Sequence, residues 1–265
     1  MTKLFSGLCT ALLLSGPAAA LELSLVRTFE ADGPSGLTYD RTYCGLWIAN
    51  ETSTVRMTDP WGNEVRSFEA PLHRVDAIAV TDDGLLLSDG SGLYQKVDRD
   101  GEPLSEPFRL SPALRDTDGL YFDGMTKDYW VADDTAAEIV QIGQDGVTRQ
   151  RLIGYMQEPQ LMEPQGVTLD PVHGTVLVVD DADATDSLFE FSPEGTLLSV
   201  TALDFAGYDA EGITVNAEGS QIFVAFDDGH TIAVFDYTPS ALARLGEPLP
   251  SACVISALES GQPPV

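Results

Sequence analysis

The sequence predicts an all-β protein, a single β-propeller of five four-stranded blades closed by an N-terminal strand. Three observations predict it. Five segments open alike: Gly36-Leu37-Thr38-Tyr39-Asp40, Ala77-Ile78-Ala79-Val80, Gly119-Leu120-Tyr121-Phe122-Asp123, Gly166-Val167-Thr168-Leu169-Asp170 and Gly212-Ile213-Thr214-Val215-Asn216, spaced by 41, 42, 47 and 46 residues. Each is followed by a second apolar run and then a third, punctuated by Gly, Asp and Pro with no sustained helical period. Finally, Val26-Arg27-Thr28-Phe29-Glu30-Ala31, ahead of the first repeat, nearly duplicates Val65-Arg66-Ser67-Phe68-Glu69-Ala70 inside it.

The second runs are Leu46-Trp47-Ile48-Ala49-Asn50, Leu85-Leu86-Leu87-Ser88-Asp89, Tyr129-Trp130-Val131-Ala132-Asp133, Val176-Leu177-Val178-Val179-Asp180 and Ile222-Phe223-Val224-Ala225-Phe226-Asp227. Third runs such as Glu138-Ile139-Val140-Gln141-Ile142 lead into turns such as Gln144-Asp145-Gly146. Four short strands in 40 to 50 residues is the spacing of a propeller blade, whereas horseshoe solenoids use shorter repeats or include a helix. The duplicated Val-Arg-x-Phe-Glu-Ala reads as a fourth strand without a repeat of its own. Placed beside Thr231–Asp236 it would complete the last blade and hide two edges. After Tyr237 only 28 residues remain, with two short Pro-flanked runs, Ala241–Leu245 and Ala252–Leu258. Five blades plus a docked tail is therefore the expectation, with six blades as the alternative.

The ends read differently. Lys3, the apolar run Leu4 to Ser15 and Ala18-Ala19-Ala20 have the order of a secretory signal peptide, too short to span a bilayer. The expected organisation is a signal peptide at 1–20, the propeller at 21–237 and a docked tail at 238–265, with export to the periplasm or beyond the cell. Cys9 would leave with the peptide. Cys44 and Cys253 would remain, and in an oxidising compartment could form one disulfide or stay as two separate buried thiols.

Composition narrows the function classes. The chain has 265 residues, 42 Asp+Glu against 14 Lys+Arg, and a formal net charge of -28. Such a surface repels nucleic acid and anionic lipid. At 43% hydrophobic residues it still has ample material for a core. A small molecule or a protein at the channel mouth is the expected partner, for a monomer without membrane insertion.

Repetition concentrates part of this charge. The residue before each first strand (Ser35, Asp76, Asp118, Gln165, Glu211) must lie beside the end of the second strand (Asn50, Asp89, Asp133, Asp180, Asp227), because the two run antiparallel. Many acids follow directly (Glu51, Asp134, Asp181, Asp228), and Glu163 precedes Gln165 by two. Asp after a strand commonly caps a turn, and most of the second-strand Asp residues are expected to do so. Asp76, Asp118 and Glu211, converging on the axis, are the candidate ligands of a divalent cation. Hard oxygen donors suit Ca²⁺. Asp181-Ala182-Asp183-Ala184-Thr185-Asp186 alternates acids as a calcium loop does, but lacks the Gly at its sixth position. No G-x-S-x-G, H-E-x-x-H or Walker-type loop occurs. The three histidines, His73, His173 and His230, fall beside turns.

The repeats resemble NHL-type blades, with a Gly-apolar strand followed by an ending such as Trp130-Val131-Ala132-Asp133. Asp118-Gly119 through Asp133 also resembles the senescence-marker-protein/gluconolactonase family. Glu211-Gly212-Ile213 and Pro164-Gln165-Gly166-Val167 are similar to the SdiA-regulated periplasmic propellers. Gluconolactonase resemblance implies a divalent cation in the channel, with Asp118 and Glu211 at inner-strand ligand positions, and lactone hydrolysis. The opening Glu-Gly of that family falls here on Ser35-Gly36, so one implied ligand is missing. Two functions follow as expectations: a non-enzymatic propeller binding a cation and a ligand or partner, or a metal-dependent lactone or ester hydrolase. In the second, Asp180 or Glu163 would activate water.

Overall fold

The computed structural model describes residues 20–111, 113–114, 116–182, 185–240 and 243. Nearly all of the expected signal peptide, Cys253 and nearly all of the expected tail therefore lie outside the described residues.

Nineteen strands form five sheets arranged in a ring. The first blade is β2 (Leu37–Asp40), β3 (Gly45–Ile48), β4 (Thr54–Thr58) and β5 (Glu64–Glu69), paired in that order. The second has β6 (Ala77–Val80), β7 (Leu85–Ser88) and β8 (Tyr94–Val97). Its outer edge is an irregular stretch that meets β8 in isolated bridges at Tyr94–Phe108 and Val97–Pro103 rather than in a continuous ladder. Pro103 and Pro107 explain the irregularity, since a proline gives no N–H to a ladder. The third blade comprises β9 (Thr117–Phe122), β10 (Asp128–Asp133), β11 (Glu138–Gly143) and β12 (Thr148–Ile153). Then come β13 (Pro164–Leu169), β14 (Val176–Asp180), β15 (Ser187–Phe191) and β16 (Leu197–Ala202). The fifth blade is β17 (Tyr208–Val215), β18 (Gln221–Asp228), β19 (Thr231–Thr238) and, from the other end of the described chain, β1 (Glu22–Glu30). β1 runs antiparallel to β19 from Glu22 opposite Thr238 to Glu30 opposite Thr231, with a bulge at Val26. The ring is thus closed by the strand that the duplicated motif predicts.

Inner strands neighbour one another around the axis, β2 on β6, β6 on β9, β9 on β13, β13 on β17 and β17 on β2. The repeated glycine explains how closely they approach. A Cβ on Gly36 would lie 2.5 Å from the Asp76 carbonyl oxygen, on Gly119 2.2 Å from that of Gln165, on Gly166 2.6 Å from that of Glu211, and on Gly212 2.2 Å from that of Ser35. Each glycine therefore accepts the backbone of the next blade, the last serving the first.

Apolar residues alternate along the strands, so every blade presents an apolar face to each neighbour. Trp47, Met57, Ile78 and Leu87 fill the space between the first and second blades, and Trp130, Phe189 and Phe191 that between the third and fourth. Trp47 and Trp130 are core residues, as their shared register suggests. The first two blades are also tied through a buried charge: Asp40 accepts hydrogen bonds from Trp47 Nε1 at 3.1 Å and Arg99 Nε at 2.7 Å. Among the described residues, no helix is long and apolar enough to cross a membrane.

Candidate functional site at the axial mouth

A bulge at the start of each inner strand builds the mouth. In β9, Thr117 pairs with Asp133 and Gly119 with Ala132, which leaves Asp118 as the extra residue. β13 inserts its extra residue between Pro164 and Val167, and β17 between Ala210 and Ile213, at Gln165-Gly166 and Glu211-Gly212. The first two blades break the ladder at the same point. Ser35 N–H donates to Ala49 while Gly36 accepts from Ala49 N–H, and Asp76 N–H donates to Ser88, which already faces Ala77. Bulges bend a strand and re-aim a side chain. Here they turn Asp118, Gln165 and Glu211 toward the axis.

The channel behind them is nearly filled. A cavity of about 10 Å³ remains, bounded by Asp118, four inner-strand glycines and Leu37, Ile78, Leu120, Val167 and Ile213. That is room for about one water.

The structure distributes the three expected ligands unequally. Asp76 is 5% exposed and receives Arg74 Nε at 2.5 Å, while Arg74 also reaches Glu51 at 3.1 Å. Burial raises its pKa and the Arg74 bond opposes the rise. Asp118 instead stands with Asp116 and Asp134, and Glu211 with Asp181 and Asp209; in each trio one ligand oxygen per residue lies within 4.8 Å of the others. Asp118 Oδ2 is buried with no hydrogen-bond partner among the described residues.

Burial is the largest cause of perturbation at both trios. It pushes the Asp118 carboxyl up to about 8, with Asp116, Asp134, Asp76 and Asp133 adding repulsion. Glu211 rises to about 9, burial first, then Asp209, Asp181, Asp118 and Glu51. Asp134 is held at about 6 by burial and by Asp116 and Glu163. Asp181 is raised by burial and by a hydrogen bond with Asp209. Asp118 and Glu211 feel each other although a blade separates them, because β9 and β17 meet across the axis.

Other acids are structural. Asp89 Oδ1 accepts the N–H groups of Ser91 and Leu93, both at 3.0 Å, and Asp133 Oδ1 accepts that of Ala136 at 3.1 Å. Asp180, 3% exposed, takes Met162 N–H at 3.2 Å on one oxygen and Glu163 N–H at 2.7 Å on the other. Asp186 accepts Ala210 N–H at 2.9 Å. Asp89 and Asp133 are the turn caps expected of Asp after a strand, whereas Asp180 and Asp186 hold N–H groups of distant segments. Glu163 is partly buried and acts electrostatically on both trios, repelling Asp134 and Asp181. Ser35 adds no charge, and its hydroxyl donates to the Asp76 carbonyl at 3.0 Å.

Asp116, Asp209 and Arg74 are the mouth residues that reasoning from the repeats passes over. The signal is there: they stand two before Asp118, Glu211 and Asp76, just as Glu163 stands two before Gln165. In extended chain that spacing puts both side chains on one face, although Asp209, at φ 64°, departs from extended geometry. Cys44 is buried in the turn between β2 and β3, and its expected partner Cys253 lies outside the described residues.

Fold and site together define an acidic-mouthed five-bladed β-propeller. No protein-family model matches the chain, and no curated protein matches its sequence. Solved structures do. It is similar to a glutaminyl cyclase of Myxococcus xanthus, with TM-score 0.62 and 13% identity over 82% of this chain and 97% of that one. It is also similar to the nidogen/laminin complex, with TM-score 0.54 and 17% identity over 74% and 73% of the two chains. The WD40 β-propeller domain of Doa1 gives TM-score 0.51 and 13% identity over 76% and 62%. At these identities the likeness is one of fold.

Proposed function

We propose that this is an exported, non-enzymatic propeller of the NHL and gluconolactonase-like kind that binds Ca²⁺ at its acidic mouth and there engages a small ligand or a protein partner. One observation carries the reading: two trios of carboxylates, each including a bulged, partly buried residue, with ligand oxygens within 4.8 Å of one another. The donor set fits the ion. Oxygens 2.3 to 2.6 Å from a Ca²⁺ stand up to about 5 Å apart, and all donors here are hard. Repulsion within each trio is relieved either by protons or by a cation, and at neutral pH the two compete for Asp118 and Glu211.

A hydrolase is the second reading, favoured by the Asp134 carboxyl held at about 6 beside Asp118. A cation bound there would supply electrophilic polarisation of a lactone or ester carbonyl. Glu163 is then the better candidate than Asp180 to take the proton from water, because both Asp180 oxygens already hold backbone N–H groups.

The test is calorimetric titration of Ca²⁺ into EDTA-treated protein, beside thermal melting. Binding weakened in both Asp118→Ala and Glu211→Ala is expected. An absence of heat together with an unchanged melting temperature in EDTA and in excess Ca²⁺ overturns the proposal. EDTA-sensitive hydrolysis of a lactone panel would replace the first reading with the second, and cell fractionation tests the export.

A further inference from the structure

A second feature lies at the seam where the ring closes, outside the two carboxylate trios. In each blade the third strand turns two residues toward the preceding blade. The third blade uses Val140 and Ile142, the fourth Phe189 and Phe191, the fifth Ala233 and Phe235, all in the core. The second uses Gln95 and Val97, opposite Leu87 and Leu85. In the first blade these places, opposite Ile48 and Leu46, are taken by Arg56 and Thr58. Two polar groups thus face the fifth blade, where the second blade has one polar residue, Gln95, and the third, fourth and fifth have none. The core at this seam, Leu37, Leu46, Ile48, Phe223, Ala225, Ile232 and Val234, stops short of them.

A cleft of about 550 Å³ occupies the space. Ile48, Thr58 and Arg56 line it from the first blade, Glu30, Asp32 and His230 from the fifth. Two of its polar groups, those of Thr58 and Arg56, are little used by the fold. Thr58 is 7% exposed, and its Oγ1 is buried with no hydrogen-bond partner among the described residues. A buried hydroxyl left so costs about 1–3 kcal/mol. Arg56 has one ionic neighbour among the described residues, Glu64, and only at 4.0 Å. His230 Nδ1 accepts the Gly33 N–H at 2.9 Å, so the ring offers its Nε2–H outward.

We infer that this seam cleft is a second binding site, for a small zwitterion of the amino-acid or short-peptide class. A guanidinium beside a free hydroxyl takes a carboxylate, the first by its paired N–H donors and the second by its O–H. Glu30 and Asp32 at the rim suit an ammonium group. A plain anion would meet these acids and the charge of -28, whereas a zwitterion answers both halves of the cleft. The volume takes a di- or tripeptide. This site goes beyond the proposed cation site and shares no residue with it.

Dialanine is the probe, titrated calorimetrically into the full chain at millimolar concentration, beside N-acetyl-dialanine and dialanine amide. Binding of dialanine is expected, with each capped form weaker by about tenfold for the loss of one charged contact. Arg56→Met should weaken dialanine binding by at least about tenfold and erase the difference between dialanine and its amide, while leaving melting temperature and Ca²⁺ response intact, since it puts an apolar residue at an apolar position. Thr58→Val should weaken binding and raise the melting temperature. Dialanine that gives no heat, or that binds Arg56→Met as it binds the parent, overturns the inference. So does equal binding of all three probes. Because Ca²⁺ response is read on the same samples, failure here is distinguishable from failure of the mouth.

Discussion

Replacing Asp118 by Asn should change how stability depends on pH, and the sign is fixed by the direction of the shift. The unfolded chain releases the Asp118 proton near 3.8 and the Glu211 proton near 4.5, while the cation-free fold holds them to about 8 and about 9. A raised acid carries no penalty below its unfolded pKa, and its penalty grows until pH passes the folded one. Stability must therefore fall as pH rises through this window, by about 1.4 kcal/mol per pH unit for each extra proton the fold holds. Two protons between about pH 5.5 and 7.5 give at most about 5 kcal/mol, and allowing half for water penetration and mutual coupling leaves about 2–3 kcal/mol. For a protein of this size that is a fall of roughly 5–10 °C in melting temperature. Ordinary carboxylates are already ionised above about pH 5.5, so general self-repulsion adds little slope there. Asp118→Asn should reduce the fall by up to about half, since Glu211, Asp134 and Asp181 keep raised carboxyls in this window, matching the parent at the acid end and exceeding it at the alkaline end. Scanning calorimetry in EDTA reads both. A flat parent profile, or a variant displaced equally at every pH, would refute the assignment of buried, proton-holding carboxyls at the mouth.

Three further outcomes follow from the packing. Gly212→Ala would press a Cβ to 2.2 Å from the Ser35 carbonyl oxygen and should cost about 3 kcal/mol in urea unfolding. Gly174→Ala meets nothing within 4 Å and, at φ +73, should cost only about 1 kcal/mol. Asp40→Ala strips Trp47 Nε1 and the Arg99 guanidinium of a shared acceptor, and should destabilise by about 3 kcal/mol, followed by tryptophan fluorescence in denaturant. A non-reduced peptide map should contain Cys44 joined to Cys253, and removing that link should cost up to about 4–5 kcal/mol; two peptides alkylated without reduction would refute the pairing.

The architecture was legible because it is written five times. Four Gly-apolar openings and the matching Ala77-Ile78-Ala79-Val80 set blade number, and the repeated Val-Arg-x-Phe-Glu-Ala placed β1 beside β19, a contact between residues some 200 apart in the chain. Irregular details were less visible. Pro103 and Pro107 take the outer edge of the second blade out of a regular ladder, a local effect that a repeat comparison averages away. At the mouth, the axial trio Asp76, Asp118 and Glu211 is readable by position, yet the structure splits it. Asp76 is neutralised by Arg74, and the other two acquire partners from two residues upstream and from the end of a neighbouring strand. That partition depends on the bulges, and a bulge is a change of pairing between strands that leaves no mark in either strand read alone.

Closure by β1 has a consequence in time. The strand that completes the fifth blade is made first among the nineteen, and its partner Thr231–Thr238 last. At ordinary synthesis rates about 200 intervening residues take roughly 10–40 s. Throughout that interval β1 is an unpaired edge carrying Leu25, Val26 and Phe29, available to any other extended chain. Its charged positions Glu22, Arg27 and Glu30 are spaced so that no long apolar run is offered meanwhile. The same strand that seals the finished ring is thus a strand built to wait.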